Sequence, residues 1–206
     1  MAARLITIEG IDGAGKTTLA AALREALLAR GIDAVALREP GGVALAERIR
    51  SLVKDPGLEI DDRAEALLYA ASRAQLVAER VAPELAAGRW VLLDRYIDSS
   101  LAYQGAGRGL GVEAVRAINE FATGGLAADR TLLLAIEAAA GRRRRGDRGE
   151  DADRLERETD EFFTRIAAGY ASLAAAQPRR IRTLDATLAP DALLEAALAE
   201  LADLLE

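Results

Sequence analysis

The amino-acid sequence predicts an α/β fold in which a parallel five-stranded sheet carries helices on both faces. Short apolar runs of strand length alternate with amphipathic segments of helix length, which is typical of parallel sheets. The run Trp90–Asp94 (WVLLD) is almost continuously apolar, as expected of a strand that is buried on both faces. A chain of 206 residues has the length of one domain, so we expect residues 1–206 to form a single unit.

The first elements are marked by their boundary residues. The first predicted strand, Leu5–Glu9, is a β-branched run that ends at a glycine. An amphipathic segment then predicts a helix over Lys16–Arg30, with Gly31 as its stop. The second predicted strand, Ala34–Arg38, ends at the turn Pro40-Gly41-Gly42.

Two predicted helices, Ala44–Lys54 and Asp61–Ala87, lead to the third strand. We expect the second helix to bend near Pro83 and to end at Gly88. The remaining predicted elements are the helix Val112–Phe121, the strand Thr131–Ile136, the helix Glu156–Gln177, the strand Ile181–Asp185 and the helix Asp191–Leu205.

The composition excludes several kinds of chemistry. The chain has no cysteine, which excludes disulfides, thiolate nucleophiles and cysteine-type zinc sites. It has no histidine, which excludes serine-hydrolase triads, histidine-ligated metals and imidazole acid–base catalysis. Any catalysis must therefore use carboxylates, arginine, lysine, hydroxyls or a cation held by carboxylates.

The net charge of −6 argues against a protein that coats nucleic acid or an anionic membrane. No stretch reaches about 18 uncharged apolar residues, so we expect neither a membrane span nor a signal peptide. The composition predicts a soluble, cytoplasmic protein.

Lysine is rare in this chain. There are 25 Arg but only two Lys, Lys16 and Lys54. A lysine kept in such a chain is a candidate for a position that needs a compact ammonium group rather than a planar guanidinium. We interpret Lys16 in this way, and Lys54, near the end of an amphipathic segment, as an ordinary surface residue.

One motif carries the strongest chemical signal. Residues 10–17 (GIDGAGKT) match the phosphate-binding loop G-x-x-x-x-G-K-S/T directly after a strand and at the start of a helix. The backbone N–H groups of such a loop and the helix N-terminus bind phosphate oxygens. The loop predicts a three-layer P-loop NTPase fold, with Lys16 at the β- and γ-phosphates and Thr17 on Mg²⁺. The predicted ATP-binding residues in and beside the loop are Gly10, Ile11, Asp12, Gly13, Ala14, Gly15, Lys16, Thr17 and Thr18.

Other charged residues end the neighbouring strands. Glu9 and Asp12 flank the loop, the segment 38–42 (REPGG) follows the second strand, and Asp94-Arg95-Tyr96 ends the third. The carboxyl ends of parallel strands converge on one crevice. Acids and arginines gathered there, around a Mg²⁺-nucleotide, would hold a second anionic substrate.

The chain resembles the bacterial thymidylate kinase family. The resemblance rests on the loop, on REPGG, on residues 68–75 (LYAASRAQ) and above all on residues 94–105 (DRYIDSSLAYQG), in the right order over essentially the whole chain. It implies transfer of the γ-phosphoryl group of ATP to dTMP, which gives dTDP for dTTP synthesis. It also implies Mg²⁺ as the cofactor and a homodimer, with no nucleic acid or membrane as a partner.

The resemblance further implies individual roles. The implied catalytic residues are Lys16, Asp94, Arg95 and Arg154, and the implied Mg²⁺ ligands are Thr17 and Asp94. Arg95 would clamp the dTMP phosphate, Tyr69 would stack on thymine where the family usually has Phe, and Tyr103 would crowd the sugar 2′ position. The implied substrate-binding residues are Asp12, Glu39, Arg50, Tyr69, Arg73, Arg95, Ser100, Tyr103 and Gln104.

Residues 141–158 are rich in Arg, Asp and Glu and nearly free of apolar residues, so we expect a surface excursion rather than part of the core. The resemblance implies a lid that closes over ATP and supplies a catalytic arginine, because Gly13 occupies the loop position where some family members place one. The candidate arginines are Arg142, also expected to contact ATP, Arg143, Arg144, Arg145, Arg148 and Arg154. A solvated charged loop remains an alternative, whereas interleaved signs of charge argue against a nucleic-acid arm.

Three other functions remain open from the sequence. The chain could be a related kinase of another nucleotide or of a deoxynucleoside, a P-loop protein that senses nucleotide without catalysis, or an arginine-tract nucleic-acid binder. The absence of histidine favours a nucleoside monophosphate kinase, because a phosphate monoester is already an anion and needs no strong general base.

Overall fold

The computed structural model describes residues 2–146 and 153–205. Within them, one sheet has the strand order β2-β3-β1-β4-β5, and every neighbouring pair is parallel. The strands are β1 (Leu5–Glu9), β2 (Ala34–Arg38), β3 (Trp90–Asp94), β4 (Arg130–Ala135) and β5 (Ile181–Asp185). The predicted five-stranded parallel sheet is confirmed, with β4 shifted by one residue from its predicted bounds.

The helices follow most of the predicted segments. They are α1 (Lys16–Ala29), α2 (Ala44–Lys54), α3 (Asp62–Leu76), α4 (Ala82–Ala86), α5 (Ile97–Ser100), α6 (Val112–Thr123), α7 (Ala138–Gly146), α8 (Asp160–Ala176), α9 (Pro190–Ala199) and α10 (Ala202–Leu205). A π-helical turn over Val77–Val81 joins α3 to α4, and a second over Leu101–Gly107 extends α5.

Two helix boundaries are set by side-chain caps. The Asp61 carboxylate accepts a hydrogen bond from the Arg63 amide, so α3 begins at Asp62. Thr159 caps α8 in the same way by accepting from the Phe162 amide. The helix predicted from Glu156 therefore begins four residues later, and residues 153–158 form turns.

The helical segment after β3 was not predicted. Residues 101–105 are all buried, including the polar Gln104. A helix that is buried all round lacks the polar face whose period marks an amphipathic helix in a sequence.

Apolar side chains on both faces of the sheet build the core. On one face, Ile6 and Ile8 of β1 belong to the cluster that contains Leu23 of α1 and Leu193 of α9. On the other face, clusters join strand residues to α8 and to the segment from α3 to α4. The carboxyl ends of β1, β2 and β3 lie side by side, because Asp94 pairs in register with both Ile8 and Arg38.

We expect Leu23→Ala to lower the free energy of unfolding by about 3 kcal/mol, because Leu23 is 0% exposed and its loss leaves a cavity under the sheet. Leu188→Ala is the matched control, since Leu188 is 40% exposed and should cost less than about 1 kcal/mol. Urea unfolding followed by circular dichroism measures both, and equal losses would contradict this description of the core.

Candidate active site

The phosphate-binding loop links β1 to α1. Lys16 is the first residue of α1, and Gly15 before it has a left-handed backbone with φ of 95°. A Cβ atom on Gly13 would lie 2.1 Å from the Gly141 carbonyl oxygen, and one on Gly141 would lie 2.7 Å from the Asp12 carbonyl oxygen. The loop and the arginine-rich helix α7 therefore contact each other through backbone, which requires glycine on both sides.

Lys16 lies folded against the loop. Its Nζ donates to the Ile11 carbonyl at 2.9 Å and lies 3.9 Å from Asp12 Oδ1. The pKa of Lys16 is lowered to about 8, first by burial and second by the charge of Arg95, against the opposing charge of Asp12. A buried ammonium with few partners is suited to neutralise phosphate oxygens.

The two predicted Mg²⁺ ligands are in direct contact. Thr17 Oγ1 donates to Asp94 Oδ2 at 2.6 Å, and both residues line the same cavity. Oxygen atoms are the ligands that Mg²⁺ prefers, so the pair fits this cation. Among residues 2–146 and 153–205, no group of three or more acidic side chains could hold a metal ion by itself. Such a group is not needed where phosphates and water supply the other ligands.

Arg95 has an unusual backbone conformation. Its φ of 71° lies in the left-handed region, which strains a residue with a side chain. The guanidinium donates to Asp12 Oδ1 at 2.7 Å, to Ser99 Oγ at 3.0 Å and to Tyr103 Oη at 3.3 Å. Although burial opposes ionisation of Asp12, Arg95 and Lys16 outweigh it and hold the pKa of that carboxyl below its usual range.

Glu9 holds the turn that carries Arg95. Its carboxylate is 0% exposed and accepts from the Tyr96 amide at 2.8 Å, from the Ser99 hydroxyl at 2.5 Å and from the Tyr170 hydroxyl at 2.9 Å. Glu9 does not line the cavity. It therefore acts as a support for the turn after β3 rather than as one of the acids that face the crevice.

A buried ion pair lies at the other end of the cavity. Arg73 is 1% exposed, and its Nε donates to Glu39 Oε2 at 2.7 Å. Its other nitrogens donate to Ser100 Oγ at 3.0 Å, to the Tyr96 carbonyl at 2.9 Å and to Asn119 Oδ1. Glu39 Oε1 is buried and accepts no hydrogen bond from the described residues. Burial raises the pKa of Glu39 against the opposing effect of Arg73.

One continuous cavity of about 270 Å³ joins these groups. The predicted site residues that line it are Asp12, Gly13, Gly15, Lys16, Thr17, Thr18, Glu39, Arg50, Tyr69, Arg73, Asp94, Arg95, Ser100, Tyr103 and Gln104. The cavity extends from the phosphate-binding loop, past Arg95, to a wall that contains the rings of Tyr69 and Tyr103.

Comparisons with known proteins agree on one family. The family profile for thymidylate kinase matches residues 8–196. A thymidylate kinase of Deinococcus radiodurans is 50% identical over 188 residues, which cover 91% of each chain. One from Rhizorhabdus wittichii is 44% identical over 207 residues, which cover 100% of each chain. The chain belongs to the thymidylate kinase family.

The structural comparison agrees with the sequence comparisons. The crystal structure of thymidylate kinase from Ehrlichia chaffeensis matches with a TM-score of 0.73 and 30% identity, over 89% of this chain and 93% of that one. The P-loop NTPase fold predicted from the loop is thereby confirmed. Thymidylate kinases are ATP-dependent nucleoside monophosphate kinases that phosphorylate dTMP to dTDP. Within the described residues, no helix is long and apolar enough to cross a membrane.

Some of the predicted site residues do not line the cavity. Gly10, Ile11 and Ala14 belong to the body of the loop and are buried. Arg154 points away from the cavity: its Nε donates to the Val53 carbonyl at 3.0 Å, and its guanidinium pairs with Glu65. Three of the candidate lid arginines lie outside the part of the chain that the structure describes: the side chains of Arg142 and Arg145, and Arg148 with the rest of residues 147–152.

Lys54, interpreted as an ordinary surface residue, has a side chain that is 39% exposed and lies at the edge of the cavity. Its Nζ lies 2.7 Å from Asp153 Oδ2, and both residues line the cavity. The rarity of lysine was the available signal, since both lysines of this thymidylate kinase family member lie at the same cavity. The cavity-lining residues to which no individual role was assigned are Arg38, Pro40, Lys54, Ser99, Asp153, Leu155 and Glu156.

We expect the stability of the protein to depend on the protonation of Glu9. Burial, and secondly the charge of Asp98, raise the pKa of Glu9 from 4.5 to about 7. The stability that the neutral carboxyl contributes is therefore fully present below pH 4.5 and is lost as the pH rises through about 7. Relative to Glu9→Gln, the wild-type free energy of unfolding should fall by up to about 3 kcal/mol over this range.

Urea unfolding at a series of pH values measures this difference. The control is Glu120→Gln at an exposed position of α6, which should leave the wild-type pH dependence unchanged. Parallel curves for the wild type and Glu9→Gln would show that Glu9 titrates at its ordinary pKa.

Proposed function

We propose that the cavity binds MgATP at the phosphate-binding loop and dTMP at the opposite end, so that the two phosphate groups meet between Lys16 and Arg95. The single observation that carries this proposal is the position of Arg95. Its guanidinium contacts Asp12 of the loop. It also lies 5.1 Å from the centre of the Tyr103 ring, which belongs to the wall of the opposite end of the cavity. A planar cation at this junction suits an acceptor phosphate beside the transferred group.

Mg²⁺ would be held by Thr17 and Asp94, directly or through water. When bound, the cation would neutralise charge that develops on the phosphate oxygens. Thr17 Oγ1 and Asp94 Oδ2 already lie within hydrogen-bond distance of each other at the mouth of the loop. A hydroxyl and a carboxylate in this position support the assignment of the cation to this pair.

The nucleoside end of dTMP would contact Tyr69, Arg73, Ser100, Tyr103 and Gln104. Glu39 Oε1 is buried and has no donor among the residues that the structure describes, and it is suited to accept a hydrogen bond from the sugar 3′-hydroxyl. Because Tyr103 is 5% exposed and packs edge-on against Phe162 and Tyr170, its ring is fixed. A fixed ring supports selection of deoxyribose by exclusion of a 2′-hydroxyl.

The segment 141–158 would serve as a lid over ATP. The backbone contact between Gly13 and Gly141 supports this role, because it brings α7 directly onto the phosphate-binding loop. Positive charge carried on α7, where Arg143 is exposed, would lie near the transferred group, whereas Arg144 donates to the Ala186 carbonyl at 2.7 Å. Closure would then exclude water during transfer and reverse for product release.

A second copy of this chain would cover an apolar surface formed by α2, α3 and α6, which pack beside one another. The large exposed apolar side chains on these helices are Leu45, Leu52, Leu67 and Phe121, and Phe121 is 92% exposed. Apolar patches of this kind mark protein interfaces, and a homodimer would bury them. A cytoplasmic location, and the absence of nucleic-acid and membrane partners, stay predictions from the composition.

We expect the wild type to release ADP from MgATP only when dTMP is present. Arg95→Ala should lower kcat/KM for dTMP by at least about 100-fold, because the acceptor phosphate loses its clamp. A coupled ADP assay with dTMP, dUMP, dGMP, dCMP and thymidine measures both activity and specificity. Arg116→Ala, at a partly exposed position of α6, is the control for removal of an arginine.

Two results would contradict the proposal. ATP binding without dTMP-stimulated turnover would indicate a nucleotide sensor, and preference for another acceptor would indicate a related kinase.

We expect the wild type to be a dimer at micromolar concentration and Phe121→Glu combined with Leu67→Glu to shift it to a monomer. Two carboxylates in an apolar interface would remain unpaired, which disfavours association. Sedimentation velocity measures the change, and Leu188→Glu, at a 40% exposed position outside this surface, should remain dimeric. A monomeric wild type would contradict the dimer.

A further inference from the structure

Glu65 of α3 is a fully buried carboxylate to which no role in the reaction has been assigned. It is 0% exposed, and both of its oxygens are occupied. Oε1 accepts from Gln104 Nε2 at 2.8 Å, while Oε2 accepts from Arg108 at 3.0 Å and from Arg154. Although burial opposes ionisation, these hydrogen bonds outweigh it and hold the pKa of Glu65 below its usual range.

Glu65 connects two parts of the chain that are distant in sequence. On one side, Glu65 contacts Gln104, which lines the cavity. Tyr69 lies one turn further along α3 and also lines the cavity. On the other side is Arg154, in the segment 153–158 at the C-terminal end of the proposed lid. We call this segment the return segment. Arg154 is 89 residues from Glu65, so the contact is a tertiary one.

The return segment is attached at three points. Asp153 pairs with Lys54 at 2.7 Å, and Glu158 pairs with Arg108 at 2.5 Å. Arg154 lies between them, and its amide donates to the Lys54 carbonyl at 3.3 Å. The attachment holds the segment against the C-terminal end of α2 and the N-terminal half of α3.

Some residues of the return segment line the cavity and others do not. Asp153, Leu155 and Glu156 line the cavity, whereas Arg154 does not. The Arg154 side chain is 12% exposed and is held by Glu65 and by the Val53 carbonyl. Its guanidinium therefore contacts residues that support the cavity wall, and it is directed away from the phosphate-binding loop.

We propose that Glu65 and Arg154 form a latch that holds the return segment as a wall of the dTMP end of the cavity. Both are positioning residues, and Arg154 does not act on the transferred phosphoryl group. This inference rests on the proposed function, because it takes the cavity half beside Tyr69 and Gln104 as the acceptor end. Release of the latch would loosen dTMP binding and leave the phosphate-binding loop unchanged.

Arg154→Gln is the milder way to open the latch. Arg108 remains beside Glu65 in this variant, so the buried carboxylate keeps a cationic partner. Glu65→Gln keeps the shape of the side chain but removes the charge that attracts both arginines. The two variants perturb the same contact from opposite sides, so one remains informative if the other fails to fold.

We expect Arg154→Gln to raise KM for dTMP about tenfold, with kcat and KM for ATP within about twofold of wild type. Glu65→Gln should show the same pattern, and the double variant should be no worse than the more impaired single variant, because Glu65→Gln already removes the ion pair that Arg154→Gln removes. Arg154→Lys should recover part of the loss by keeping the ion pair. Arg63→Gln, an exposed position on the same helix, is the control.

A lower kcat with KM for dTMP unchanged would overturn the proposal, because it would indicate that Arg154 acts on the transferred phosphoryl group. Additive losses in the double variant would also overturn it, since the two residues would then act separately.

Hydrogen exchange without substrates tests the latch independently of the reaction. The Arg154 amide should exchange at least about fivefold faster in Glu65→Gln than in the wild type, because the return segment is released. Unchanged exchange would overturn the latch even if the enzyme is active. Faster exchange in a protein that shows no dTMP-dependent turnover would support the latch and contradict only the proposed function.

Discussion

The buried carboxylate of Glu9 is the contact on which the rest of the site depends. It ends the central strand β1 and accepts hydrogen bonds from the turn after β3 and from Tyr170 of α8. The turn contains Arg95, whose left-handed backbone is strained unless its surroundings fix it. Because Glu9 accepts from the Tyr96 amide and the Ser99 hydroxyl, which both follow Arg95 in the chain, the strained backbone is held in place and the guanidinium is directed at the phosphate-binding loop.

Opposite charges balance one another inside the cavity before any ligand is bound. Asp12 lies between Lys16 and Arg95, and the two cations keep it ionised despite its burial. Burial meanwhile lowers the pKa of Lys16 to about 8, so its ammonium gains from contact with an anion. The arrangement is preorganised for phosphate, since cations that are already desolvated and oriented need little rearrangement when phosphate arrives.

The two sides of the cavity are supported by different physical means. At the phosphate-binding loop, α7 approaches so closely that only glycine fits at positions 13 and 141. At the other end, the return segment is held by ion pairs, with the buried Glu65 carboxylate at their centre. A backbone contact is set by shape, whereas an ion-pair contact depends on charge. The lid region is therefore anchored by packing on the loop side and by electrostatics on the opposite side.

The sequence by itself determined the sheet, the phosphate-binding loop and the set of residues at the strand ends. These features depend on local patterns: apolar runs, glycine positions and one spaced motif. Sequence reasoning also grouped Arg95, Asp94 and Glu39 correctly, because the carboxyl ends of parallel strands always meet. It missed the helical segment 97–107, which is buried all round and has no polar face.

Only the tertiary structure decided how the side chains at the site are oriented. Arg154 lies in a motif that suggested a catalytic arginine, yet its guanidinium contacts Glu65, 89 residues away. Lys54 looked like a surface residue until Asp153 was brought beside it. In both cases the deciding contact joins segments that are far apart in the chain. The spacing of residues within a short segment gives no information on such a contact. The contact forms only when the helices pack and bring the charges together.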